Sequence, residues 1–260
     1  MYKIGWFSTA NGKTSQLLLS TVMDNIQTDQ LKAEIAFVFV SREQGENLET
    51  DNFINMVEGY NLPLVTFSFD KFRALHSDLK RSQVRELYDT KVIEMLKAYP
   101  CDLAVLAGYM LIISSQMCET YDMINLHPAL PGGPKGTWRE VIWQLIEQKA
   151  VESGAMMHLV TPELDCGPVA TYCRYNLRSA DFDELWQQAE RQSMQEIRET
   201  QGEYSLLFQK IRNEGIRREF PLIVYSLRSF IEGHVYIKDH AIYDKDHKLI
   251  DGYDISTVIK

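Results

Sequence analysis

Over roughly its first 175 residues the chain alternates short β-type runs with helical stretches, a rhythm that predicts a parallel sheet covered by helices on both faces. Lys3–Thr9 reads as the first strand and Thr14–Asn25 as the first helix, followed by a strand at Ala33–Val40 and a helix through Asn52–Glu58. Leu62–Phe69 is a third strand, and Val84, Leu87, Val92, Ile93 and Leu96 repeat at helical spacing within Gln83–Ala98. Strands follow at Asp102–Gly108 and at Asp122–Leu126, the latter stopped by Pro128. A Pro- and Gly-rich loop, Pro131 to Gly136, leads into a helix at Thr137–Lys149, and Gly154–Thr161 and Val169–Tyr175 complete the sheet. The expected fold class is α/β, a doubly wound and mostly parallel sheet, with its ligand at the carboxyl ends of the strands.

From Asp181 to about Ile231 the composition shifts to long helices rich in Gln, Glu and Arg. The tail reads as a hairpin, with Ala241–Tyr243, a polar turn at Asp244–His247 and then Lys248–Ile250. The expected division is an α/β domain over 1–180, a helical segment over 181–232 and an appended β-hairpin over 233–260, outside the main sheet. With 45% hydrophobic and 24% charged residues in 260, the chain has material for a substantial core. Its 27 Lys+Arg against 36 Asp+Glu leave a net charge of −9 and no clustered basic face, which argues against nucleic-acid partners. The longest apolar run, Leu103–Ile113, is too short to span a bilayer, and Met1 leads straight into a strand without an export signal. Cys101, Cys118, Cys166 and Cys173 form no metal-binding or redox spacing, so reduced thiols and a cytoplasmic location are expected.

Three segments can carry chemistry. The turn Ser8 to Ser15 sets small polar residues at a helix start, where free N–H groups and the helix dipole favour a phosphate; Asn11, Gly12, Lys13 and Thr14 are its candidates. Gly12-Lys13-Thr14 is not a P-loop, because Phe7 stands where that motif needs its first glycine. An ordinary polar helix cap is the alternative reading. In Asn125-Leu126-His127-Pro128 the period of a strand puts Asn125 and His127 on one face. An amide there can hydrogen-bond a developing oxyanion, and an imidazole can move a proton near neutral pH. The third segment, Thr161 to Pro168, is a turn expected at the same end of the sheet as His127, and Asp165 in it is placed to orient the imidazole and fix its tautomer.

Together these segments resemble the folate-dependent formyltransferase family. The resemblance lies in Leu106-Ala107-Gly108-Tyr109-Met110, in Ile124-Asn125-Leu126-His127-Pro128, in His158 to Val169 and in the Asn11-Gly12 turn, in order across roughly residues 3–175. It implies that Asn125, His127 and Asp165 are catalytic and that 10-formyltetrahydrofolate is the co-substrate. It implies a folate site at Met110, Leu111, Ile113, Glu163 and Leu164, with no metal. An amine accepts the formyl group, and in the family's glycinamide ribonucleotide branch the acceptor phosphate sits at the first helix, here Asn11 to Thr14.

The chain departs from that branch at Ala129-Leu130-Pro131-Gly132-Gly133 beside the site, at Leu111 where arginine is common, and at Lys13-Thr14 in the phosphate loop. The chemistry is left intact and the acceptor is opened to alternatives: an amino-sugar nucleotide, another amine, or water, as in a formyltetrahydrofolate hydrolase. A hydrolase is expected to carry a regulatory domain ahead of the first strand. A non-catalytic folate or nucleotide binder is the remaining reading. The expected partners are small molecules, with a homodimer open. His158 reads equally as a border of the site or as a core histidine, and Trp138 and Trp143, five apart, are expected to pack separately.

Overall fold

The computed structural model describes residues 1–259. In chain order the elements are β1 (Tyr2–Ser8), α1 (Lys13–Gln27), β2 (Ala33–Val40), α2 (Leu48–Gly59), β3 (Leu64–Thr66), α3 (Phe69–Leu75), α4 (Arg81–Leu96) and β4 (Leu103–Leu106). They continue as α5 (Ser115–Thr120), β5 (Met123–His127), α6 (Trp138–Glu147), β6 (Glu152–Leu159), β7 (Val169–Asn176), α7 (Ala180–Ala189), α8 (Met194–Thr200) and α9 (Leu206–Ile231). Three short strands close the chain: β8 (Val235–Lys238), β9 (Ala241–Asp244) and β10 (Tyr253–Asp254).

The main sheet runs β10-β7-β6-β5-β4-β1-β2-β3. Strands β3, β2, β1, β4 and β5 are parallel, so the loops after β1, β4 and β5 emerge at one end. β6 runs against both β5 and β7. Central strands are buried on both faces, and their alternate residues feed two cores. Ile4 and Trp6 of β1 join Leu18, Leu19 and Val22 of α1 and Leu222, Ile223 and Leu227 of α9 on one side. Phe7, with Phe37 and Phe39 of β2, meets Tyr88, Val92 and Leu96 of α4 on the other. Gly5 is required by that second packing, since a Cβ there would lie 2.6 Å from the Phe37 ring.

Helix α9 lies across β6 and β7 and against α1, and its buried face belongs to the same core as β1. A third core, built from α6, α7 and α9, contains Val141, Leu145, Trp186, Phe208 and Ile211. Here one expectation is corrected. Trp138 and Trp143 share a partner, their rings lying 6.0 and 4.9 Å from that of Phe208 on α9.

The tail also differs from its reading. Its principal hairpin pairs β8 with β9 around Asp239 and His240, both at positive φ, as a tight two-residue turn demands. The expected second arm is present as a single bridge, Tyr243 to Leu249. Beyond it, β10 adds to the main sheet beside β7, so the tail does not lie wholly outside the sheet. Among the described residues no helix is long and apolar enough to cross a membrane.

Candidate active site

Strand β5 ends at His127, whose side chain is 3% exposed. Its neighbour β6 is antiparallel, and the register sets Asn125 directly opposite His158. Side chains opposed across such a pair touch, and the Asn125 Nδ2 to His158 Nε2 distance is 3.2 Å. The other nitrogen of His158, Nδ1, lies 2.9 Å from the Leu159 carbonyl, which can only accept, so Nδ1 carries the hydrogen. Burial, aided by nearby His127, holds the His158 imidazole below the ordinary histidine range, with the Leu159 carbonyl and Asp165 pulling the other way. His158 is therefore neutral near pH 7, and its bare Nε2 accepts one N–H of Asn125. That contact fixes the Asn125 amide and leaves its second N–H free to donate.

Asp165 reaches the same place by an indirect route. Because β6 runs against β5, Leu159 at its exit lies opposite Ile124 and not beyond His127. The turn must fold back over the strand pair, which corrects the expectation that it simply shares the sheet end with His127. Two backbone features make the return. Asp165 adopts a left-handed conformation, φ 53°, which aspartate tolerates better than most residues. Gly167 packs so closely on β6 that an added Cβ would sit 1.7 Å from the Leu159 carbonyl oxygen.

Asp165 Oδ1 stands 3.6 Å from His127 Nδ1 and 3.7 Å from His158 Nε2, while Oδ2 accepts from the Gly136 N–H at 3.2 Å. The first two separations exceed a hydrogen bond. The Pro134 carbonyl, 2.9 Å from His127 Nε2, is what fixes the imidazole. As an acceptor only, it requires hydrogen on Nε2 and leaves Nδ1 facing Asp165 as the nitrogen that gains or gives up a proton. The tautomer expected from Asp165 is thus set by a backbone carbonyl, for which no side chain in the sequence is a signal. Lys135 Nζ donates to Cys166 Sγ at 2.7 Å, so the loop 131–136 and the Asp165 turn are also joined at the surface. The arrangement offers one fixed amide donor, one proton-carrying imidazole and one carboxylate around a single point.

Elsewhere the candidates divide. Gly12, in extended conformation, precedes helix α1 as its N-cap residue and supplies no side-chain cap, and the first turn of the helix holds no acidic residue. Asn11 and Lys13 are exposed, and Gly12 and Thr14 half-buried. A helix start without a side-chain cap leaves backbone N–H groups free, which favours an anion. In the segment after β4, Met110 is exposed and Leu111 half-buried, but Ile113 turns into the core, so only its backbone can meet a ligand; Ile112 takes the exposed place. Glu163 and Leu164 are exposed on the Asp165 turn. His158 is the residue sequence reasoning left undecided, since its opposition to Asn125 depends on a register visible only in three dimensions.

Residues 9–193 match the family described as formyl transferase. Phosphoribosylglycinamide formyltransferase of Escherichia coli is 27% identical over 168 residues, covering 64% of this chain and 71% of that protein. The protein of the same description from Dictyostelium discoideum is 29% identical over 164 residues, covering 58% and 74%. Among solved structures, glycinamide ribonucleotide transformylase 1 from Symbiobacterium toebii superposes with a TM-score of 0.67 at 19% identity, covering 94% of both chains. A formyltetrahydrofolate deformylase from Pseudomonas syringae superposes at 0.64 with 20% identity, covering 94% of this chain and 65% of its own. At these identities the two structures speak for the shared fold.

Proposed function

From the premise that the chain belongs to the formyl transferase family, we propose that it moves the formyl group of 10-formyltetrahydrofolate onto an amine, with glycinamide ribonucleotide as acceptor. The observation that carries this reading is the convergence of Asn125, His127 and Asp165, with Asp165 Oδ1 3.6 Å from His127 Nδ1 and Asn125 fixed by His158 at 3.2 Å. The relatives described as phosphoribosylglycinamide formyltransferases support the acceptor, as does the uncapped start of α1, which suits a phosphate.

The roles follow from what each group can donate or accept. When an amine adds to the formyl carbon a C–N bond forms and the carbonyl electron pair moves to oxygen. The free N–H of Asn125 and the Nδ1–H of protonated His127 stabilise that oxyanion, each such donor contributing about 10²–10³ in rate. Asp165 takes the proton the attacking nitrogen must lose and returns it to the folate nitrogen as its bond to the formyl carbon breaks. The carbonyl re-forms, and the products are the formylated amine and tetrahydrofolate. The residues present suit the co-substrate: the backbone N–H and C=O groups of Leu111, Ile112 and Ile113 make no hydrogen bond among the described residues. Such a free edge matches the alternating donors and acceptors of a pterin ring.

The test is to incubate the protein with 10-formyltetrahydrofolate and glycinamide ribonucleotide and to follow deformylated folate, beside H127A and K13A. Loss of turnover in H127A and a few-fold higher KM for the acceptor alone in K13A are expected. Turnover unchanged in H127A removes His127 from the mechanism, and formate release that ignores every amine assigns the chain to hydrolysis.

A further inference from the structure

Asp89 is a carboxylate in the middle of α4 with only 1% of its surface exposed, on a helix whose Val84, Tyr88, Val92 and Leu96 belong to the second core. A buried carboxylate in apolar surroundings persists where it is hydrogen-bonded to something that needs it. Its Oδ2 accepts from the backbone N–H of Ser114 at 2.7 Å. Burial raises its pKa, while the Ser114 bonds and the Arg85 charge act in the opposite direction. None of the formyl chemistry above uses it.

Ser114 is where an irregular segment ends. After β4 the chain passes through residues 107–113 without regular structure, and α5 starts with Ser114 as its cap, accepting from Met117 N–H at 3.3 Å. The near end of that segment is tied as well. Thr9 Oγ1 accepts from Met110 N–H at 2.8 Å, and Thr9 N–H donates to the Gly108 carbonyl at 3.0 Å. Between the two ties lie the unpaired backbone groups of residues 111–113, with Met110 and Ile112 47% and 45% exposed and Tyr109 and Ile113 buried beneath. The segment is a strap pinned at both ends with a free polar edge between.

We infer that Asp89 is a positioning residue for the co-substrate: by holding Ser114 N–H it fixes the direction in which the strap presents its free backbone edge. The inference rests on the proposed reading that this edge receives the folate. A carboxylate suits the task because a charge-assisted bond to a backbone N–H is stronger than a neutral one. Losing it leaves a buried donor unsatisfied unless the strap moves.

The test uses the full chain and 10-formyltetrahydrofolate itself as probe. D89L, similar in volume but unable to accept, is expected to weaken folate binding about tenfold or more and to raise the folate KM, with the acceptor KM and kcat at saturation near those of the wild type. D89N keeps an acceptor oxygen at the same place and is expected to restore folate binding to within about threefold, as the smaller value of a neutral bond predicts. Should D89L fail to fold, the D89N/S114P double variant removes the N–H without stranding a charge, at a residue whose φ of −76° suits proline. It is expected to bind folate as poorly as D89L. Unchanged folate binding in D89L or in the double variant overturns the inference. So does an equal loss toward folate and acceptor that D89N does not repair, which marks a merely structural group. A wild-type protein that binds no folate overturns the underlying functional reading, and it is seen before any variant is made.

Discussion

Replacing His158 with phenylalanine tests how the site aims its amide. The ring volume is kept, but the acceptor that holds Asn125 Nδ2 at 3.2 Å disappears. A net hydrogen bond of this kind is worth about 0.5–1.5 kcal/mol, which at about 1.4 kcal/mol per factor of ten gives a two- to tenfold fall in kcat for H158F. Removing the oxyanion donor altogether, in N125A, is expected to lower kcat by about 10²–10³. If His158 acts only through Asn125, the N125A/H158F double variant falls no further than N125A, because the second substitution has nothing left to disturb. The assay is kcat at saturating folate and acceptor, read from deformylated folate, with thermal unfolding as a control for folding. A double variant whose loss is the product of the two single losses refutes the argument, and so does an H158F loss as deep as that of N125A.

Other expectations follow from the same geometry. G167A forces a Cβ to within 1.7 Å of the Leu159 oxygen; it is expected to displace the Asp165 turn, destabilise by about 1–3 kcal/mol in denaturant melts and abolish turnover. T9V removes the oxygen that accepts from Met110 N–H while keeping the shape; the stability loss should be about 1–2 kcal/mol, and the folate KM should rise more than that of the acceptor. His158 also carries a pH signature. Its folded pKa lies below its unfolded value, so the unfolded chain takes up the proton first; the associated stability is present above about pH 6.5 and is lost as the pH falls toward the folded value. Unfolding free energies of wild type and H158F, measured across that window, should diverge with this sign, and parallel curves contradict a buried neutral His158.

Much of this architecture was legible because the signals were local. The run Ala33–Val40 is a strand with those limits, since seven of its eight residues are apolar, and the one exception, Glu34, is exposed near its start. The capping pair Thr137 and Glu140 marks the start of α6. The short helices α3 and α5, seven and six residues long, have too few turns to show a period, and each falls in a stretch read as strand end or loop. Leu62–Phe69 contracts to Leu64–Thr66 for the same reason: Ser68 caps a helix. Asn125 and His127 could be placed on one face from the strand period alone. The reversal of β6, which opposes His158 to Asn125 and makes Asp165 fold back, is a property of pairing and leaves no mark in the spacing. The Pro134 carbonyl on His127 is backbone, and any residue there would carry the same oxygen.

The decisive measurement follows the formyl carbon itself. With 10-formyltetrahydrofolate isotopically labelled at that carbon, the account predicts that in the presence of glycinamide ribonucleotide the label appears as an amide, matched mole for mole by tetrahydrofolate and lost in H127A. Label recovered as formate whether or not an amine is supplied, or retained on the folate throughout, contradicts it.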